Sequence, residues 1–196
     1  MKIIPGQKKD IKEIELWFSI DMGFSTKNKT CGIFYPEGKK ENIIYGNLFD
    51  EFKSFAKEEK NKIGLIIEAP LSYYLDEKGN PKGREKPKEK DGEKTRYWYT
   101  GSGSSVLIAA LMLLKKIHDH KDDKKIVYLY EGFLSFKGRP DNEKKSNHYD
   151  DAEKLYEQRG EVIEPASDYI GIMSLLSNDE NAKKAPSIIV SSESQI

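Results

Sequence analysis

The feature that most constrains the fold is a set of nearly continuous apolar runs, at residues 14–22, 62–70 and 125–133. A strand that is apolar on both faces is typical of a sheet covered by helices on both sides. Two further strands are predicted at 30–36 and 42–46, and the clearest helical spacing runs from about Ser102 to His118. The order β-β-β-α-β-α-β-α therefore predicts an α/β fold with a mixed sheet flanked by helices.

The length and the polar segments suggest how the chain is organised. We expect the 196 residues to form a single domain with its core at about 14–159. A long polar insertion without apolar periodicity is expected at about 76–100. Gly160 is predicted to end a late helix. We expect about 160–196 to form a C-terminal helical extension, with a helix in "ASDYIGIMSLLS" and a late short strand or tail at "PSIIV".

Composition argues against several classes of protein. Lys plus Arg and Asp plus Glu are equal at 33 each, so no net charge draws the chain to nucleic acid or to a membrane, although local basic segments can still bind phosphates. One cysteine, Cys31, fits a reducing compartment and reads as a small core residue. The N-terminal residues are too charged for a signal peptide, and no apolar run approaches the ~20 residues of a membrane span. We therefore expect a cytoplasmic protein with no membrane partner.

Each long apolar run carries one carboxylate near its C-terminal end: Asp21, Glu68 and Glu131. Ligands of open α/β sheets gather at the carboxyl ends of the strands, where the strand order reverses. If the first and fourth strands are parallel neighbours, Asp21 and Glu68 face the same crevice. Two carboxylates in one crevice repel each other unless a cation such as Mg²⁺ or Mn²⁺ neutralises them. The ordinary alternative is a salt bridge or a helix cap at each position. The recurrence on three strands favours a metal site.

Further candidates lie around the segment "HYDDAEKL". Asp150 and Asp151 would lie in the first turn of a late helix, where acids are common because they offset the helix dipole. The functional interpretation is that this helix brings one of them to the strand-end carboxylates. His148 could hold a water or a phosphate, although a lone loop histidine is usually a plain surface residue.

Four short motifs together resemble those of the ribonuclease H-like superfamily: "FSIDMG", "LIIEAP", "LYEGF" and "HYDDAEKL". The first is similar to the first-strand motif of Holliday-junction resolvases, and the others look closer to a poorly characterised branch of predicted nucleases. The resemblance implies a five-stranded mixed sheet in the order 3-2-1-4-5, with strand 2 antiparallel. It also implies two Mg²⁺ or Mn²⁺ ions held by Asp21, Glu68 and either Asp150 or Asp151, while Glu131 matches a fifth-strand acid of that branch. This chain departs from the pattern after Ala152, where Glu and Lys replace small apolar residues.

The segment "TRYWYTGSGSS" suggests a substrate-binding surface. Arg96 and Trp98 could contact exposed bases, and Ser102 and Ser104 lie in a turn whose backbone N–H groups could bind a phosphate. The alternatives are a core aromatic cluster and a simple helix entry, because the pattern fits no strict phosphate-loop motif.

These observations favour a metal-dependent nuclease that cleaves phosphodiester bonds by a two-metal mechanism. The expected partner is branched or single-stranded DNA or RNA, and a homodimer is an open alternative. A catalytically inactive ribonuclease H-like binding or assembly module is the second hypothesis. A sugar-kinase or actin-like ATPase ranks last, because that family needs two such domains.

Overall fold

A computed structural model describes residues 1–23, 28–36, 39–83, 103–135 and 147–192. The strands are β1 (Lys2–Pro5), β2 (Leu16–Asp21), β3 (Cys31–Tyr35), β4 (Lys39–Ile43), β5 (Lys62–Glu68), β6 (Ser72–Leu75), β7 (Pro81–Gly83), β8 (Ile126–Ser135), β9 (Val162–Ile163), β10 (Ile170–Gly171) and β11 (Ile188–Ser192). The α-helices are α1 (Leu48–Phe55), α2 (Gly103–Asp119) and α3 (His148–Glu157). Short 3₁₀ helices lie at Lys8–Glu13, Tyr45–Asn47, Gln158–Gly160, Ile172–Leu175 and Glu180–Lys183.

The main sheet has eight strands, in the order β4-β3-β2-β5-β8-β11-β9, and β1 also pairs with β8. Strands β2, β5, β8 and β11 run parallel to one another, whereas β3 is antiparallel to both β2 and β4. The predicted mixed sheet flanked by helices is confirmed, but the prediction of five strands is wrong. The outer edge of β8 is divided between β1, which pairs with its first half, and β11, which pairs with its second half.

Helices cover both faces of this sheet, as the apolar runs require. Phe18 and Ile20 of β2 belong to a core cluster with Phe52 of α1 and Leu113 of α2. Trp17, on the other side of the same strand, belongs to a second cluster with Leu155 of α3. We call these sides the α1–α2 face and the α3 face. Alternate residues of each central strand therefore face different helices.

The meander differs from its predicted bounds at one strand. β4 spans Lys39–Ile43 instead of the predicted 42–46, because its pairing with β3 begins where Lys39 lies opposite Tyr35. The charged residues that start this strand are tolerated because β4 is an edge strand, where charges also oppose unwanted strand pairing.

The predicted C-terminal helical extension is also wrong for the described residues up to 192, which form short 3₁₀ helices and strands instead of an α-helix. Gly171 explains part of the difference. A Cβ at this position would lie 2.3 Å from the carbonyl oxygen of Lys184, so the backbone passes too closely for another residue. β10 then pairs with β6 in a separate three-stranded sheet, in the order β10-β6-β7.

The predicted polar insertion begins as a hairpin. Asp76 accepts hydrogen bonds from the backbone N–H groups of Lys78 and Asn80, and Gly79 adopts a positive φ of 77°. This turn joins β6 to β7, which pair antiparallel. The rest of the insertion lies outside the described residues.

Among the residues that the structure describes, none of the helices combines the length and apolarity needed to cross a membrane.

Cys31 is fully buried in β3, and its Sγ donates a hydrogen bond to the carbonyl oxygen of Gly23 at 2.6 Å. Burial raises the pKa of its thiol from 9.0 to about 11, and the hydrogen bond opposes the rise only in part. Because the unfolded chain loses this proton first, the stability that Cys31 contributes is complete below pH 9 and is lost as pH rises toward about 11. We predict that the difference in free energy of unfolding between the wild type and Cys31→Ala shrinks over this range in urea titrations. A difference that stays constant with pH would contradict the prediction.

Candidate functional site on the α3 face

The site is built on one row of residues that crosses the sheet near the C-terminal ends of the parallel strands. Strand pairing aligns Asn42 with Gly32, Gly32 with Asp21, Asp21 with Glu68 and Glu68 with Gly132. Residues paired in this way direct their side chains to the same face of a sheet. We call this set the carboxylate row, and it lies on the α3 face together with Trp17.

Two glycines in the carboxylate row let α3 pack directly on the sheet. A Cβ at Gly32 would lie 2.0 Å from the backbone carbon and oxygen of His148 and 2.4 Å from the nitrogen of Tyr149. A Cβ at Gly132 would lie 2.8 Å from Cδ1 of Leu155. The first turn of α3 therefore rests on the backbone beside Asp21, and a later turn rests beside Glu68.

Asn42 fixes the start of α3 from the end of the row. Its Oδ1 accepts a hydrogen bond of 3.0 Å from the backbone N–H of Tyr149. This N–H belongs to the first turn of the helix, where backbone donors have no partner within the helix. The sheet thus caps the helix that covers it.

Asp21 is buried and His148 lies directly against it. The carboxylate Oδ2 and the ring Nδ1 are 2.5 Å apart, with the Asp21 side chain 3% exposed and that of His148 39% exposed. His148 therefore offers a partly exposed ring whose orientation is set by a buried carboxylate. Glu68, the register neighbour of Asp21, is half-buried.

The two aspartates of α3 lie on different sides of the helix. Asp151 is 4% exposed and lies on the sheet-facing side of the helix with His148 and Leu155, at helical spacings of three and four residues. Its Oδ1 is 3.7 Å from Nζ of Lys154. Asp150 instead lies on the flank of the helix, where its Oδ1 is 2.8 Å from Nζ of Lys40 in β4. Asp151 is the late-helix acid on the side of the carboxylate row.

Glu131 is not brought to this group. It pairs in register with Ile67, one residue before the carboxylate row, so its side chain lies on the α1–α2 face. There it is fully buried, and its Oε2 accepts hydrogen bonds from Oγ of Ser72 at 2.8 Å and from the backbone N–H of Leu71 at 3.3 Å. In the structure Glu131 joins β8 to the start of β6.

The predicted substrate-binding residues are only partly visible. Arg96, Trp98 and Ser102 lie outside the described residues. Ser104 is exposed in the first turn of α2, a helix that packs on the α1–α2 face, so the structure does not bring it to Asp21. Of the two residues of this set that the structure describes, His148 contacts the carboxylate row and Ser104 does not.

Sequence reasoning missed Asn42, Gly32 and Gly132. An isolated glycine inside an apolar strand pattern is a recognised sign that another backbone or a ligand approaches closely. Gly32 and Gly132 each carry that sign, because they interrupt strands that are otherwise rich in large residues. Asn42 gives no such signal, since its role depends on the strand register.

The donor chemistry of the site fits a hard divalent cation. Asp21 and Glu68 lie on neighbouring strands, about 4.8 Å apart in such a sheet, and their like charges favour an ion between them. Buried Asp151 supplies a third carboxylate above the same face, and oxygen donors are what Mg²⁺ and Mn²⁺ prefer. Within the described ranges, no three His, Cys, Asp or Glu side chains already form a group that could hold a metal ion.

Comparisons with family models, with curated proteins and with solved structures gave no match to this chain.

Proposed function

We propose that the protein is a divalent-metal-dependent nuclease of the ribonuclease H-like kind, with Asp21, Glu68 and Asp151 as its metal-binding carboxylates. The observation that carries this proposal is the register pair of Asp21 and Glu68, covered by a helix that presents a buried aspartate to the same face. The strand order β4-β3-β2-β5-β8, with β3 antiparallel to its neighbours, supports the ribonuclease H-like part of the proposal.

The chain's own residues have distinct tasks in this proposal. Asp21 and Glu68 would hold the ions from the sheet, and Asp151 would hold them from the helix. Two bound ions would supply an activated water and stabilisation of the leaving oxygen in phosphodiester cleavage. His148, oriented by Asp21 and partly exposed, would position a phosphate oxygen or a water through its other ring nitrogen. Gly32 and Gly132 keep the helix close enough for these groups to act together.

The test is an assay of purified protein with branched DNA, single-stranded DNA and RNA, each with Mg²⁺, with Mn²⁺ and with EDTA. We expect at least one substrate to be cut in the presence of either metal and none to be cut in EDTA. Failure to cut any of them, together with no Mg²⁺ or Mn²⁺ binding by calorimetry, would overturn the proposal.

A non-catalytic binding module is the second candidate, and one observation favours it. The buried carboxylate of Asp21 is already paired with the ring of His148. The two candidates differ in how metal affects stability. In a nuclease, Mn²⁺ should raise the melting temperature of the wild type but not that of Asp21→Asn. In a binding module, Mn²⁺ should leave both melting temperatures unchanged.

A further inference from the structure

Helix α3 carries a cation beside the carboxylate row to which the proposed function gives no task. Lys154 is the only lysine or arginine between His148 and Glu157, in a helix that also holds four acids. It contacts the buried acid Asp151, with Nζ of the lysine 3.7 Å from Oδ1 of the aspartate. Lys154 therefore supplies a counter-charge to the carboxylate that the helix would offer to a metal ion.

The other acids around Lys154 make this contact informative. Asp150 lies four residues before Lys154, at a spacing where helices commonly form ion pairs. Asp150 is held by Lys40, with Oδ1 2.8 Å from Nζ, and Lys40 also contacts Glu153. Burial explains the contact between Lys154 and Asp151, because a buried carboxylate without a counter-charge is strongly destabilising.

A similar contact occurs at the other end of the site. Asp21 is buried and contacts Nδ1 of His148, so two of the three proposed metal ligands each contact a basic side chain of α3. The two basic side chains are alike in exposure, at 39% for His148 and 37% for Lys154. Each can turn toward solvent without a movement of the helix backbone, which Asn42 holds at its first turn.

The ammonium of Lys154 and a divalent ion would compete for Asp151. Both are cations that approach a carboxylate oxygen, and like charges about 4 Å apart repel strongly where water is excluded. A lysine ammonium is well hydrated and lies on a flexible stem, so it can leave the carboxylate for water. Lys154 would still remain beside the site, because residues three apart on a helix have Cβ atoms only about 5–6 Å from each other.

The release of Lys154 would change the charge that a nucleic acid meets. The chain carries no net charge, with 33 basic and 33 acidic residues, so phosphates depend on local cations for binding. In the metal-free site, Asp21, Glu68 and Asp151 present three carboxylates, which repel a phosphate. Lys154 is then engaged by one of them. Its release would therefore give the site a cation for a phosphate at the moment when the carboxylates are neutralised.

We propose that Lys154 is an internal counter-ion of Asp151 in the metal-free protein and a phosphate-binding residue once the metal is bound. Nucleic acid then binds after the metal, because Lys154 reaches a phosphate only when Asp151 no longer holds it. This inference rests on the proposed function. It adds to that function an order of binding and a residue that contacts the substrate.

Calorimetry with Mn²⁺, without nucleic acid, tests the counter-ion role. Lys154→Gln removes the competing charge, so we expect it to bind Mn²⁺ at least about threefold more tightly than the wild type. Lys154→Arg keeps a charge and should bind Mn²⁺ within about twofold of the wild type. Lys40→Gln is the matched control, because it removes the cation that holds Asp150, and it should also stay within about twofold. Urea titrations check that each variant is folded.

The salt dependence of nucleic-acid binding tests the phosphate contact. Labelled single-stranded DNA, branched DNA and RNA, each with phosphorothioate linkages that resist cleavage, are titrated by fluorescence anisotropy in Mn²⁺ and in EDTA. One lost phosphate contact lowers the slope of log affinity against log salt by about 0.7–0.9. For at least one of the three, we expect Lys154→Gln to show this loss in Mn²⁺ and to keep the wild-type slope in EDTA.

The outcomes distinguish this inference from the proposed function. An absence of Mn²⁺ binding in the wild type and in every variant would overturn both. If the wild type binds Mn²⁺ and Lys154→Gln binds it equally or more weakly, the counter-ion role is overturned and the metal site stands. An equal loss of slope in Mn²⁺ and in EDTA, or no loss in either, would overturn the order of binding.

Discussion

Replacing Asp151 by asparagine is expected to reduce metal-dependent cleavage at least about a hundredfold, since even outer-shell partners of a metal site are typically worth 10–100-fold. Asp151 is buried on the side of α3 that faces the carboxylate row, so in the proposed metal site its carboxylate is the ligand that the helix would contribute. The same replacement at Asp150 should leave activity within about threefold, because that side chain pairs with Lys40 on the flank.

Asp150→Asn is a closely matched control, since it removes the same group one residue away on the same helix. Cleavage rates are measured at saturating Mg²⁺, and urea titrations check that both variants are folded. Equal losses of activity in the two variants, with equal stability, would show that α3 does not deliver a specific acid to the site.

Replacing Gly32 by alanine is expected to lower the free energy of unfolding by about 2–3 kcal/mol, in the upper part of the range for overpacked sites. The new Cβ would meet backbone atoms of His148 and Tyr149, which cannot turn aside as a side-chain end can. The start of α3 would have to move away from Asp21, so metal binding should weaken together with stability. Urea titration and Mn²⁺ calorimetry on the same variant measure both effects.

Alanine substitutions at two other glycines serve as controls, because we expect each to lower the free energy of unfolding by less than Gly32→Ala does. Gly132→Ala should cost less, because its nearest contact is the end of the Leu155 side chain, which can shift. Gly160→Ala should change stability by less than about 0.5 kcal/mol, because a Cβ there would have no heavy atom within 4 Å. A Gly32→Ala variant as stable as Gly160→Ala would contradict the close packing of α3 on the carboxylate row.

The central strands and the strand-end carboxylates were predictable because a buried parallel strand leaves a strong apolar signal. The runs around Asp21, Glu68 and Glu131 all became central strands, each bordered on both sides by another strand. Sequence alone could not show that Glu131 lies on the opposite face from the other two. One residue of register separates Glu131 from Gly132, which occupies the carboxylate row, and a one-residue step changes the face of a side chain.

The late part of the chain was less predictable because its elements depend on partners far away in sequence. β10 pairs with β6 and β9 pairs with β11, and neither two-residue strand leaves a local pattern in the sequence. The segment around Gly171 has apolar residues at spacings that suit a helix, and tertiary pairing overrides that preference. The choice between Asp150 and Asp151 was open for a similar reason, since it depends on how α3 lies on the sheet.

A crystal structure of the protein soaked in Mn²⁺, with anomalous diffraction to locate the ions, tests the central claim most directly. We predict Mn²⁺ bound by carboxylate oxygens of Asp21, Glu68 and Asp151, with Asp150 still paired with Lys40 and Glu131 on the opposite face. A structure with no Mn²⁺ at these carboxylates at millimolar metal, and with Asp21 still paired with His148, would contradict the metal-dependent nuclease.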